Sequence, residues 1–513
     1  MNVYFFLGHT FYYQSIAMAQ EIKQRHPESK FYAMVAARSD LMRRLDKLEN
    51  PKFSQYDWLS SLEKQWLSTP LDKNKLNEYE KKLGKGVLRR LITADREVGV
   101  GFVSGGRVEK TKLIQMTESN HEMRWRYIIG LVEYLFKTFQ ENKIDIAFAY
   151  CIAAATSLAI AEVARALGIK FCQLTHTRIG NYSLIDDNSL SLFNPAKTVF
   201  DQSFSDKSII SKYYDKAKKY LEDFRNSPVL PQEQDIIRQN SINAAKLKYF
   251  YKTLATDMAR WIIIKSGFMG TKGVLRQRFG GEILIDNIIK FWTMRKALNG
   301  KIFENTEAIG GYEYVYFPLH VDPEASTMVL ADLYTDQMAI IEALAKSMPA
   351  NMRLVVKEHI PVVGKRKKGF YQRIKAMPDV VLLSPFCDNF TLIKNAAVTA
   401  VITGTAAIES MMLGRPTLII GRNHFTNIGE GFVFGHNLSD LTSAIDKAIN
   451  QPPANTEKII HYIASLMTVG YEMSLESWEK EIVTSKEVLN PIVDSMEKIL
   501  SPDDNIKPSS KAA

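Results

Sequence analysis

The sequence predicts an α/β protein built from two doubly wound domains. Three observations carry that prediction. A strand–loop–helix–strand rhythm opens the chain, stops after about residue 200 and resumes at Tyr312. The chain has 513 residues, 46% hydrophobic and 24% charged, which is globular and too long for one core. In the second unit, four successive strand ends carry polar residues, the pattern expected where a ligand meets the carboxyl edge of a parallel sheet.

The elements follow in order. Val3–Leu7 is a short buried strand, followed by Gly8-His9-Thr10, a helix through about Gln24 and a second strand at Phe31–Ala36. His9 falls on the ligand side of such a sheet, or packs as an ordinary histidine in a turn. The first residues lack a basic n-region and a cleavage site, so they read as this strand and not as a signal peptide. Residues 40–142 are mostly helical and charged, and within them Asp95 and Arg96 form either a surface pair or a site. The glycines of Gly99-Val-Gly-Phe-Val-Ser-Gly105 lack the strand and spacing of a dinucleotide loop.

Lys143–Tyr150 is a strand, Ala154–Leu167 a helix closed by Gly168, and Lys170–Leu174 another strand. His176 and Arg178 follow it at the ligand edge, and Asp186-Asp187 lack the pattern of a calcium loop. From about 200 to 305 the chain reads as helices. Residues 241–300 carry a local charge of roughly +8 with aromatic residues interleaved. Such a segment suits a membrane interface or a polyanionic chain, or is a solvated helical insertion. Gly267–Gly273 imitates a P-loop without its spacing or its Lys-Ser/Thr ending.

In the second unit, Tyr314–Leu319 is a strand ending in His320. A helix over about Tyr334–Ser347 and a strand Arg353–Val356 ending in Lys357-Glu358-His359 follow. Val380–Leu383 ends in Ser384, and Asn389–Asn395 is a short helix. Then comes the stretch around which the chain is organised, Val401-Ile-Thr-Gly-Thr-Ala-Ala-Ile-Glu409 through Gly414-Arg-Pro416 to Gly421. Gly404 permits a tight turn, Thr405 is an N-cap, and the free N–H groups from Ala406 onward face the space beyond the strand. That end of a helix suits a phosphate, and Glu409, one turn on, has two oxygens for a ribose. The alternative is an ordinary βαβ corner in which Thr405 only caps and Glu409 faces solvent. Gly421–Gly431 is a loop able to close over a ligand, 437–450 and 455–500 are helical, and the tail is disordered.

The formal charge of +10 favours an acidic ligand or an anionic membrane surface. No nucleic-acid-binding pattern accompanies it. Cys151, Cys172 and Cys387 are too few and too scattered for a disulfide framework or a metal CxxC, which fits a reducing cytoplasm. No apolar run reaches the roughly 18 residues of a membrane span. The expected division is 1–200, a helical basic insertion 201–305, a second domain 306–450, C-terminal helices 451–500 and a tail 501–513.

Tyr316-Phe-Pro-Leu-His320, Asp322-Pro-Glu-Ala-Ser-Thr327, Asp336-Gln337, Val356-Lys-Glu-His359, Ile402–Glu409 and Gly414-Arg-Pro416 occur in that order. Together they resemble bacterial capsule polysaccharide biosynthesis proteins, the group that includes Kdo-transferase-like enzymes. The resemblance covers about 312–435, with Ala94-Asp95-Arg96 and Arg178-Ile-Gly180 similar to positions in the same group. It implies a GT-B-like fold, two Rossmann-like domains facing a cleft, and metal-independent glycosyl transfer with no cofactor. The donor implied is a nucleotide sugar (NDP- or CMP-sugar), and the acceptor a glycan or lipid-linked glycan of a surface polysaccharide.

On that reading Lys357, His359 and the N–H groups near Thr405 stabilise the leaving phosphate, Glu409 holds the ribose and Ser384 reads the base. His320, Glu358, Thr403, Gly404 and Ala406 complete the donor site. Asp95 is the expected base with His9 as the next candidate, and Arg96, His176 and Arg178 are acceptor contacts. Ile360 separates His359 from Pro361, where related enzymes often carry a His-Pro pair. The competing readings are a UDP-sugar 2-epimerase and a non-catalytic nucleotide-binding subunit of an assembly or export complex. The expected location is cytoplasmic, with the basic insertion peripheral to the inner membrane.

Overall fold

Alternation of side chains along short β-branched and aromatic runs produces two sheets, each covered on both faces. The computed structural model describes residues 1–8, 11–36, 39–95, 121–229, 239, 242–243, 246–266, 281–300, 302–322, 324–364, 366–473 and 486–501. His9, Arg96, the glycines of 99–105, the P-loop-like 267–273 and the tail beyond 501 lie outside the described residues.

The N-terminal sheet contains β1 (Asn2–Leu7), β2 (Lys30–Val35), β3 (Gln55–Trp58), β4 (Ile146–Tyr150), β5 (Lys170–His176), β6 (Tyr182–Asp186) and, from far downstream, β13 (Tyr471–Glu472). Their order is β13-β6-β5-β4-β1-β2-β3. β1 pairs in parallel with both β2 and β4, whereas β6 runs antiparallel to β5 and to β13. Val3, Phe5 and Leu7 enter the core on one face of this sheet and Tyr4 enters the core on the other, the period of two expected for a strand.

The second sheet contains β7 (Glu313–Pro318), β8 (Met352–Lys357), β9 (Val380–Leu383), β10 (Val398–Val401), β11 (Thr417–Ile419) and β12 (Phe432–Phe434). Its order is β12-β11-β10-β7-β8-β9, and every pairing in it is parallel. The molecule is therefore a mixed α/β, GT-B-like protein with two Rossmann-like units.

Three features differ from the sequence expectation. β3, β6 and β13 are added strands; β3 and β13 are short and partly exposed, so neither shows a clear alternation. The helices expected within 451–500 are present, but they pack on different parts of the protein. Helix Thr456–Val469 packs on helices Asn194–Gln202 and Ser211–Asn226, which also cuts across a boundary at 200. Helix Lys486–Leu500 returns to the N-terminal sheet, where Leu489, Ile492, Val493 and Met496 enter the core beside helix Tyr12–Arg25. Arg25 secures it through Glu497 at 3.2 Å and Asp494 at 2.5 Å. The physical reason is an apolar helix face matched to a sheet face that local sequence leaves uncovered.

Helices Leu247–Ser266 and Gly281–Asn299, the described part of the basic segment, pack mainly on each other, with the Phe250 and Phe291 rings stacked at 3.9 Å. Among the described residues no helix is long and apolar enough to cross a membrane.

Candidate functional site

A doubly wound sheet leaves a crevice where successive connections leave in opposite directions from neighbouring strands. In the second sheet that point lies between β7 and β10, and His320 and Thr403-Gly404-Thr405 stand at the ends of these strands. The Thr403 N–H donates to His320 Nε2 at 3.3 Å. A Cβ on Gly404 would lie 3.1 Å from the same nitrogen. Gly404 has no positive φ, so it is the close approach of His320, and not a left-handed turn, that favours glycine. Burial, then the nearby His359 and Arg366, push the His320 pKa down to about 3. With Nε2 accepting, the neutral ring carries its proton on Nδ1, a buried atom with no partner among the described residues.

His320 is held from behind by Gln337, Asp322 and Glu358, which the sequence motifs contain, and by Arg366 and Tyr371, which sequence reading did not single out. The Gln337 side chain accepts from the His320 N–H at 2.7 Å and donates to its carbonyl at 3.1 Å. Arg366 Nη2 donates to the same carbonyl at 2.8 Å, while Nη1 meets Asp322 at 3.0 Å and Nε meets Glu358 at 2.8 Å. The Tyr371 hydroxyl donates to Glu358 at 2.9 Å. Glu358, expected at the donor site, thus faces the domain interior and neutralises a buried guanidinium. Arg366 belongs to the run Arg366-Lys-Lys368, which reads as solvated charge; only burial reveals its role.

Lys357 and His359 bracket Glu358 and point to the other side of β8's end, as alternate residues must. His359 is open to solvent yet crowded by protein, the situation of a side chain lining a cleft, and that crowding lowers its pKa. The Lys357 charge acts on His359, Glu409 and Cys387, so these four groups share one locality. Ser384 is half-buried at the end of β9, where its hydroxyl accepts from the Phe386 N–H at 3.3 Å.

Glu409 is only 4% exposed. Asn389 Nδ2 donates to one of its oxygens at 2.9 Å, and the Tyr316 hydroxyl fixes Asn389 at 2.6 Å. The Thr405 side chain also bonds Glu409 instead of capping the helix Ala406–Met412, which corrects the expected N-cap. Burial raises the Glu409 pKa to about 7, against the smaller opposing pull of Thr405, Lys357 and Asn389. Ala406 is buried at the start of that helix. The Gly421–Gly431 loop is pinned at the edge of the crevice. Asn423 ties it to the carbonyls of Thr403 and Gly404 at 3.0 and 3.4 Å, and His424 and Phe425 are buried.

The N-terminal unit meets this edge through the turn after β5. His176 Nδ1 accepts from the Arg178 N–H at 3.1 Å, and burial followed by the Arg178 charge lowers its pKa to about 4. Its proton therefore resides on Nε2, a donor. Arg178 has φ of 66° and lies close enough to His424 of the second unit to depress its pKa, after burial. The Gly180 N–H donates to the Tyr220 hydroxyl at 3.3 Å, and Tyr220 in turn senses the Glu409 charge. The structure thus brings His176 and Arg178 to the same junction as His320, Lys357, His359, Thr405 and Glu409.

Asp95 ends helix Val87–Ala94, 0% exposed. Arg90 on that helix bridges Glu162 at 3.2 Å and, across the junction, Asp332 at 3.4 Å. Among the described residues, no group of three or more His, Cys, Asp or Glu is placed to hold a metal ion.

No protein-family model matches the chain, and no curated protein matches it in sequence. Solved structures similar to it include three of different activity. A UDP-GlcNAc 2-epimerase from Neisseria meningitidis bound to UDP-GlcNAc is 11% identical over 97% of this chain and 100% of that one, at a TM-score of 0.22. The Thermosulfurimonas dismutans KpsC, beta Kdo 2,4 transferase, is 12% identical over 68% and 87%, at 0.37. The glycotransferase of kitacinnamycin is 9% identical over 98% and 99%, at 0.23. Likenesses this distant say nothing about activity, and the fold stands on the two strand orders.

Proposed function

We propose that the protein is a glycosyltransferase that moves a sugar from a nucleotide-activated donor to a glycan or lipid-linked glycan acceptor in surface-polysaccharide assembly. The observation that carries this reading is the convergence at one crevice of a cation, Lys357, neutral imidazoles, His320 and His359, and a buried, prepositioned carboxylate, Glu409. In the reaction the bond from the anomeric carbon to the phosphate oxygen breaks and one to the acceptor oxygen forms. Charge grows on the leaving phosphate, where Lys357 and His359 stabilise it most. Glu409 takes the ribose hydroxyls, and Ser384 faces the base. On the acceptor side, His176 donates from Nε2, Arg178 supplies charge, and Asp95 receives the acceptor proton.

The test is a thermal melt with a panel of nucleotides and nucleotide sugars, CMP-Kdo and UDP-GlcNAc included. A ligand present at about 100 times its Kd stabilises by about 2.7 kcal/mol, a shift of a few degrees. We expect at least one nucleotide to raise Tm and Glu409→Ala to abolish the rise. A panel without effect overturns the donor site. An epimer formed from UDP-GlcNAc in the absence of any acceptor overturns transfer as the reaction.

A further inference from the structure

We infer that the hairpin of helices Leu247–Ser266 and Gly281–Asn299 is a docking surface for an anionic lipid bilayer. Leu247, Tyr251, Met258 and Ile262 recur at helical spacing along one stripe of the first helix, and all four are exposed. Tyr251 is 60% and Ile262 55% exposed; on the second helix Ile289 and Trp292, three residues apart, add to the apolar surface, with Trp292 at 55%. More of the exposed large apolar side chains among the described residues lie on this hairpin than on both sheet units together. Among the described side chains, Phe250 and Phe291 are buried and stacked on each other between the helices, whereas this stripe stays exposed.

Charge selects the occupant. Lys246, Lys248 and Lys252 are exposed beside the first stripe and Lys296 is exposed on the second helix. Aliphatic stems of lysine lie along apolar surface while their ammonium groups reach outward, which suits the boundary between acyl chains and acidic headgroups. A second copy of the same hairpin would bring like charges together, which disfavours self-association as the cover. Tyrosine and tryptophan with basic residues form the composition that settles at a membrane interface. This surface is independent of the nucleotide reading.

The experiment is flotation of the full chain with vesicles of phosphatidylcholine alone or of equimolar phosphatidylcholine and phosphatidylglycerol, at low and high salt. Binding is expected only with phosphatidylglycerol, and weaker at high salt, where the screening length shrinks to a few ångströms. Lys246→Gln/Lys248→Gln/Lys252→Gln should lower binding at least tenfold, since each cation near an anionic leaflet contributes about fivefold. Tyr251→Ser/Ile262→Ser/Trp292→Ser should lower it by a similar factor. These side chains lie on the surface, and if the triple variant misfolds, the lysine variant and the salt arm still decide. Absence of flotation at low salt, equal flotation with neutral vesicles, or unchanged binding in the lysine variant overturns the proposal. Sedimentation that shows a dimer lost in the serine variant, without vesicle binding, assigns the stripe to a second copy instead. Nucleotide-dependent melts of the same variants should match wild type, so failure here and failure of the donor site are read separately.

Discussion

Glu409 is the residue on which local pattern and tertiary environment meet. Sequence places it one helical turn from Thr405; burial then raises its pKa to about 7 from an ordinary 4.5. The folded state therefore holds a proton more tightly than the unfolded chain between those values. Stability is fully present below the unfolded pKa and declines as pH rises through the folded one. Glu409→Gln removes that titration. Denaturant unfolding should find the variant gaining on wild type by on the order of 2 kcal/mol between about pH 5 and about pH 8. A pH-independent difference would mean that the carboxylate titrates normally. The same ionisation makes a ribose-bound nucleotide bind better at the alkaline end, because the carboxylate then accepts two hydroxyl bonds.

At the scale of elements, the β7 and β8 ends are locked together by one guanidinium. Arg366 satisfies Asp322, Glu358 and the His320 carbonyl, and its side chain is 1% exposed. Arg366→Met leaves two buried carboxylates without a counter-charge, which costs about 3–5 kcal/mol. A denaturant midpoint should fall accordingly, and Glu358→Leu in the same chain should recover part of the loss. A surface-sized effect, below about 1 kcal/mol, would show that the pair is solvated. Because the network also fixes His320, nucleotide protection should weaken in any Arg366→Met protein that stays folded.

The whole molecule matters where the two units meet. Helix Val87–Ala94 reaches the second unit through Arg90 and Asp332, so Asp95 at its end stands beside the junction. With a nucleotide sugar that raises Tm, Asp95→Asn should lose about 10²–10⁴-fold in turnover. Its nucleotide-dependent melt should be unchanged, because donor and base sit on different units. Near-normal turnover would remove Asp95 from the chemistry, and a lowered melt with normal turnover would make it a packing residue.

The sequence by itself determined what is local. Strand alternation, the βα rhythm and its interruption, and the polar residues at the ends of β7, β8, β9 and β10 follow from neighbours a few positions apart. Helix Asn389–Asn395 and strand Val380–Leu383 fall where the pattern predicts them. Tertiary structure decided everything that depends on burial. It turned Glu358 inward, drew Arg366 out of an apparently solvated basic run, redirected Thr405 from the backbone to Glu409, and carried Lys486–Leu500 back to the first sheet. Arg366 lies 8 residues from Glu358 but 44 from Asp322, and the sheet face that Lys486–Leu500 covers lies hundreds of residues upstream. Low dielectric sets their energies, and no window of sequence contains it.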